Sequence, residues 1–219
     1  MLGPGRHIYP RGSRVPVPAG NLLVMAASEV YISLDVEADG PIPGPYSMLS
    51  FGLAVCARFD GKTFEPLDPA ERTFYAELRP ISDEFVPDAL AVSGLDRDLL
   101  VAEGRDPAEA MNAAAAWVTE VCGGAGPVVV AYPLGFDWMW LYWYFLRFAD
   151  AGSPFSFSRH LDMKTMYAAK ARTTVTRSTK RHMPVSLRPA HPHTHNALDD
   201  AIEQAELFQN LFCWDGPGR

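Results

Sequence analysis

The stretch Glu29-Val30-Tyr31-Ile32-Ser33-Leu34-Asp35-Val36-Glu37 decides the fold of this chain. Apolar residues alternate with the rest, so Val30, Ile32, Leu34 and Val36 fall on one face of a β-strand. Tyr31, Ser33, Asp35 and Glu37 fall on the other. A Gly/Pro-rich loop follows at residues 39–45, and residues 47–59 read as a buried second strand. Asp60-Gly61 is a hairpin turn signal, and Arg72–Leu78 reads as a third strand. The period then changes. Phe85–Ser93 and Pro107–Val121 read as helices, the second stopped by Gly123-Gly124. Pro127–Ala131 is a short β-branched strand, and Phe136–Phe148 is an apolar helix. Phe157–Leu161 reads as a further strand, leading into a short helix to about Arg172, and residues 197–212 form a closing helix. Three strands followed by alternating helix and strand predict an α/β domain, a mixed sheet of five or six strands flanked by helices. The domain is expected to span residues 29–213, with a tail at 214–219.

Bulk properties narrow the function. With 219 residues the chain can enclose one sizeable core. No apolar run approaches the ~18 residues of a membrane span. Three scattered cysteines (Cys56, Cys122, Cys213) show no metal-binding spacing, and a reducing cytoplasm is the expected setting. Residues 1–28, rich in Gly, Pro and Arg, predict a disordered extension. Arg6, Arg11 and Arg14 ahead of Leu22–Ala27 imitate a secretion leader, but the apolar run is short and prolines break the segment before it. Met25 is an alternative start.

The net charge of −7 argues against general attraction to polyanions, yet the distribution points the other way. Met163–Leu198 contains no Asp or Glu and carries Lys164, Lys170, Arg172, Arg177, Lys180, Arg181 and Arg188. Lys170, Arg172, Arg177, Lys180 and Arg181 are candidates for phosphate contacts.

Acidic residues supply the chemistry. His195-Asn196-Ala197-Leu198-Asp199-Asp200-Ala201 opens the closing helix, with Asn196 the expected cap. Asp199, Glu203, Glu206 and Asn210 form a polar face; Ala197, Ala201, Ala205, Phe208 and Phe212 form an apolar one. Asp200 lies at the edge of the apolar face, where a carboxylate is costly unless compensated. Asp35 and Glu37 emerge on one strand face and repel unless they share a cation. Asp137 sits in the first turn of a helix that follows a buried strand, where α/β sites gather. Four carboxylates with no cysteine among them suit two divalent cations, Mg²⁺ or Mn²⁺. Two such ions about 4 Å apart clamp the attacking and leaving oxygens of a phosphodiester. His195, five residues before Asp200, is placed to take a proton from the attacking water.

In order and spacing these residues resemble the DEDDh-type 3′–5′ exonucleases, the group of RNase T, oligoribonuclease and polymerase proofreading subunits. The resemblance covers most of residues 29–212. It is carried by Leu34-Asp35-Val36-Glu37, by Met48–Ala54, by Pro87–Leu95, by Ala131–Asp137 and by His195 with Asp200-Ala201. The chain departs from the pattern at Tyr132-Pro133, where His-Asn is frequent, at Ser93, where many relatives have a histidine, and in the length of the 39–45 loop. The resemblance implies a ribonuclease H-like fold and removal of nucleotides from 3′ ends of single-stranded RNA or DNA, with RNA ahead. It implies that Asp35 bridges both metals, that Glu37 and Asp200 complete the water-binding site, that Asp137 supports the second metal and that His195 is the general base. Leu49 and Phe51 are weaker candidates to wedge against terminal bases, since either also fits the core.

Two features stay open at this level. Phe136, Trp138, Trp140, Tyr142, Trp143, Tyr144 and Phe145 are too many for one helix face. They make either a central core helix or an exposed patch that pairs two copies of the chain as a homodimer. A nuclease-like domain that binds nucleic acid without cutting it is the rival function.

Overall fold

The computed structural model describes residues 28–218, so the expected extension lies, apart from Ser28, outside the described residues. Strand β1 (Glu29–Ala38) runs through the middle of a six-stranded sheet. Its antiparallel neighbour β2 (Met48–Phe59) is long enough to pair twice on its far edge, with β3 (Phe64–Pro66) and with β4 (Thr73–Glu77). On the other side β5 (Gly126–Ala131) runs parallel to β1, and β6 (His160–Asp162) parallel to β5. The mixed sheet is therefore the one the strand pattern predicts.

Helices cover both faces. They are α1 (Pro87–Ser93), α2 (Arg97–Glu103), α3 (Pro107–Cys122), α4 (Leu134–Phe148), α5 (Met163–Ala171) and α6 (Ala197–Cys213). Val30, Ile32 and Leu34, none with solvent exposure, pack toward α3 and α4. There α4 presents Trp140, Tyr144 and Phe145, all fully buried, and the Tyr144 hydroxyl accepts the Met48 N–H at 2.8 Å. The aromatic helix is thus a core helix, with Phe136 and Leu146 its exposed large apolar residues. Tyr31 on the opposite face packs against Phe208 of α6, ring centroids 5.0 Å apart.

Helix α6 starts where the site will form. The Asn196 side chain caps it, accepting from Leu198 N at 3.0 Å and Asp199 N at 3.3 Å. Gly52 lets it approach the sheet: a Cβ there would lie 2.2 Å from the Ala197 carbonyl oxygen. Because Gly52 is the register partner of Asp35, that close approach sets the first turn of α6 beside Asp35.

Three elements differ from the sequence reading. The three-residue strand β3 and the helix α2 are too short for a periodic signal. Between α5 and α6 the chain forms three short 3₁₀ turns (Val175–Arg177, Lys180–His182, Val185–Leu187), and this segment covers the polar side of α6. Glu203, expected on a solvated face, is consequently 4% exposed and paired with Lys180. Glu206 accepts the Ala190 and His191 N–H groups at 2.7 and 2.9 Å, tying the same segment down. Among the described residues no helix is long and apolar enough to cross a membrane.

Candidate active site

Three parts of the fold meet at one place. The β1 alternation sends Asp35 and Glu37 toward α6, and the first turn of α6 sends Asp200 back toward them. The ligand oxygens of Asp35, Glu37 and Asp200 all lie within 4.8 Å of one another. Asp200 has no solvent exposure, while Asp35 and Glu37 are half-buried. Asp137, in the first turn of α4, is buried, and its charge raises the Asp35 pKa more than that of any other neighbour. Three of the four expected carboxylates form one cluster, and the fourth, Asp137, is near enough to act on Asp35 through its charge.

Two of the carboxylates are held by hydrogen bonds. Gln204, one turn beyond Asp200, donates to Asp35 Oδ1 at 2.6 Å. Asp200 accepts the Thr194 N–H at 2.8 Å, the His195 N–H at 3.1 Å, and lies 3.0 Å from His193 Nδ1. His195 has a left-handed backbone (φ 61°) and an exposed ring whose nitrogen joins His193 and Asp200 within 4.8 Å. Neither His193 nor Gln204 is among the residues the sequence singles out. The step of four from Asp200 to Gln204 was the signal for the latter.

The electrostatics are those of crowded negative charge. Burial, then the charges of Asp137, Glu37 and Asp200, push Asp35 well above the usual carboxylate range, with Lys180 opposing. Burial and then Asp200 push Glu37 up to about 7. Burial raises Asp137 as well, against backbone hydrogen bonds at Val36 and at Asp137 itself that lower it. An all-oxygen donor set whose members disfavour one another's ionisation fits hard divalent cations, which relieve that repulsion. Asp162, another acid nearby, is structural: it caps α5 through Thr165 N at 2.6 Å and accepts Leu134 N at 2.8 Å.

Several expected contacts are corrected. Leu49 and Phe51 have no solvent exposure, because β2 is covered on both faces, and Phe51 stacks on Phe74 at 5.6 Å. They are core and cannot wedge against a base. The exposed apolar groups beside the acids are Phe136 and Val92, lining with Glu37, Ala38, Pro41 and Ala89 a cavity of about 440 Å³. The Lys170 ammonium donates to the carbonyls of Leu211, Phe212 and Trp214 at 2.7–2.8 Å, closing the C-terminal end of α6. It is not available to a phosphate. Lys180 is engaged by Glu203 and lies 5.5 Å above the Tyr132 ring. Arg172, Arg177 and Arg181 are exposed and form no ion pair with any described residue.

Residues 97–212 match the family model of the Rv2179c-like 3′–5′ exoribonuclease domain. The chain belongs to this family. It is also 38% identical over 184 residues to the 3′–5′ DNA exonuclease Cap18 of Escherichia coli, covering 83% of this chain and 90% of that protein. Solved structures show the ribonuclease H-like fold. Exonuclease I of E. coli, bound to a dT13 oligonucleotide, superposes with a TM-score of 0.57 at 14% identity over 83% of this chain. This chain covers only 41% of Exonuclease I. A 3′-exonuclease that recognises the 3′ end of a histone mRNA stem-loop superposes with a TM-score of 0.59 at 13% identity, over 84% of this chain and 81% of that one. The Rv2179c-like match begins at α2, so β1, with Asp35 and Glu37, lies outside it, while Asp137, His195 and Asp200 lie within.

Proposed function

We propose that the protein is a divalent-metal-dependent 3′–5′ exonuclease, built as a single nuclease domain over residues 29–213, acting on single-stranded nucleic acid. RNA is ranked ahead of DNA. The family description favours RNA and the Cap18 relative favours DNA, so both substrates belong in the test. The observation that carries the reading is the convergence of Asp35, Glu37 and Asp200 within 4.8 Å, with His195 on the same short loop and helix start as Asp200.

Asp35, Glu37 and Asp200 would hold one Mg²⁺ or Mn²⁺, and Asp35 with Asp137 a second. Bound there, the pair would supply Lewis-acid activation of the terminal phosphodiester and of the attacking water. The chain's own residues do the rest. Gln204 fixes the orientation of Asp35, and the Thr194 and His195 amides fix Asp200. The exposed His195 ring takes the proton of the attacking water. The bond from phosphorus to the 3′ oxygen of the preceding nucleotide breaks, giving a nucleoside 5′-monophosphate and a chain one residue shorter with a free 3′ hydroxyl. The cavity beside Glu37 takes the terminal base against Phe136 and Val92. A buried ion pair, Arg97 Nε to Asp39 Oδ2 at 3.1 Å, pins the 39–47 loop that forms one wall. Arg172, Arg177 and Arg181 are left to meet the backbone phosphates.

Matched single-stranded RNA and DNA oligomers, labelled at the 5′ end, test this. A ladder shortening stepwise from the 3′ end with Mg²⁺ or Mn²⁺ and stopped by EDTA is expected, faster on RNA. Internal cuts, or no product with either metal, would overturn the reading.

A further inference from the structure

We infer that the protein has a second metal site of different chemistry, made by His193, His195 and Asp200, which takes a borderline transition ion such as Zn²⁺ and shuts the acidic site when filled. The shut-off rests on the nuclease reading above; the metal site itself does not.

The geometry is local and already built. The left-handed backbone of His195 turns the loop so that the two imidazoles stand together, ring centroids 4.6 Å apart and planes at 68°. One ring nitrogen from each, with a carboxylate oxygen of Asp200, forms a triplet whose members all lie within 4.8 Å. His193 Nδ1 is already 3.0 Å from Asp200 Oδ2. The amides of Thr194 and His195 prevent the carboxylate from turning away. His191 does not join: its Nε2 lies 3.8 Å from Asp199 Oδ1.

The donor set distinguishes this triplet from the other cluster. Two imidazoles and one carboxylate are the ligands of three-residue zinc sites that leave a position open to water. Asp35, Glu37 and Asp200 offer only hard oxygens, which suit Mg²⁺ or Mn²⁺. Both rings are exposed, so water can complete the shell. The two sets share Asp200, and an ion on the His195 ring occupies the lone pair that accepts the water's proton. Filling the histidine set therefore removes the base and sets a second positive charge on Asp200, which weakens its hold on an ion of the acidic set.

Co²⁺, added to the full-length protein with Mg²⁺ in excess at neutral pH, serves as the spectroscopic probe. The visible absorption of nitrogen-ligated Co²⁺ should appear to one equivalent and be bleached by one equivalent of Zn²⁺. His193→Asn should abolish it, and Glu37→Gln, which breaks only the all-oxygen set, should retain it. In the nuclease assay, with each variant compared to its own zinc-free rate, His193→Asn should raise the half-inhibitory Zn²⁺ concentration by about tenfold or more. Absorption unchanged in His193→Asn, or lost in Glu37→Gln, would overturn the site. Equal zinc sensitivity in His193→Asn and wild type would overturn the shut-off. If the protein cleaves nothing, the absorption still decides the site.

Discussion

The two faces of β1 are made from one run of alternating residues and are built on opposite terms. Toward α3 and α4, Val30, Ile32, Leu34 and Val36 enter a dry core and need nothing but packing. Toward α5 and α6, Tyr31 packs and Asp35 accepts from Gln204, but the hydroxyl of Ser33 finds no partner and the carboxylates crowd one another. Among the described residues the buried side-chain polar atoms without a hydrogen bond are three on this side, Ser33 Oγ, Ser50 Oγ on the strand position opposite Glu37, and Gln204 Oε1, against one on the other, Trp140 Nε1 of α4. Each such atom costs roughly 1–3 kcal/mol. The raised pKa values of Asp35 and Glu37 report the same imbalance in charge. One face holds the fold together, and the other gives up stability to keep carboxylates close together.

That contrast can be broken from either side. The largest effect is expected on the polar side: His195→Ala should lower the turnover rate about 10³-fold, as loss of a general base does, with little change in melting temperature. Next comes the apolar side, where Leu34→Ala should destabilise the fold by roughly 3 kcal/mol in urea denaturation while the remaining folded protein stays active. Glu37→Gln should have the opposite sign. The ordinary value of 4.5 is raised to about 7 in the fold, so stability is full below about 4.5 and is lost as pH climbs through 7. At pH ~8 in EDTA the variant should therefore be more stable than wild type by about 2 kcal/mol, allowing for solvent screening of a half-buried group. The gain should vanish near pH ~4, and Mn²⁺ should restore wild type but not the variant. Smallest is Phe136→Ala, expected to raise KM about tenfold with kcat nearly unchanged, the worth of one stacked base.

The legible parts of this molecule are those with a period. Alternation put Asp35 and Glu37 together on one face of β1, and the helical step that set Asp200 among alanines made it stand out. The misreadings come from contacts that periodicity does not encode. Glu203 sits on a perfectly good polar face of α6, but the aperiodic 175–187 segment folds over it. Lys170 belongs to a basic stretch by composition and to the end of α6 by geometry, four decades of residues further along the chain. Leu49 and Phe51 belong to a strand that already reads as buried, and both faces of β2 are covered, so neither reaches a substrate. Phe136 was hidden among seven other aromatic residues of α4, and only its place one residue before Asp137 marks it as the one turned toward the site.

The account rests on the polar face of β1 being a cation-holding catalytic centre. The most direct measurement is the Mn²⁺-dependent rate of 3′-terminal cleavage by wild type and by Asp35→Asn, side by side, with circular dichroism showing both folded. Asp35→Asn keeps the size of the side chain and removes the charge. The expected result is stepwise 3′ shortening by wild type and a loss of about 10³-fold or more in the variant, which should melt at the same temperature or higher in EDTA. Equal cleavage by the two proteins would contradict the account.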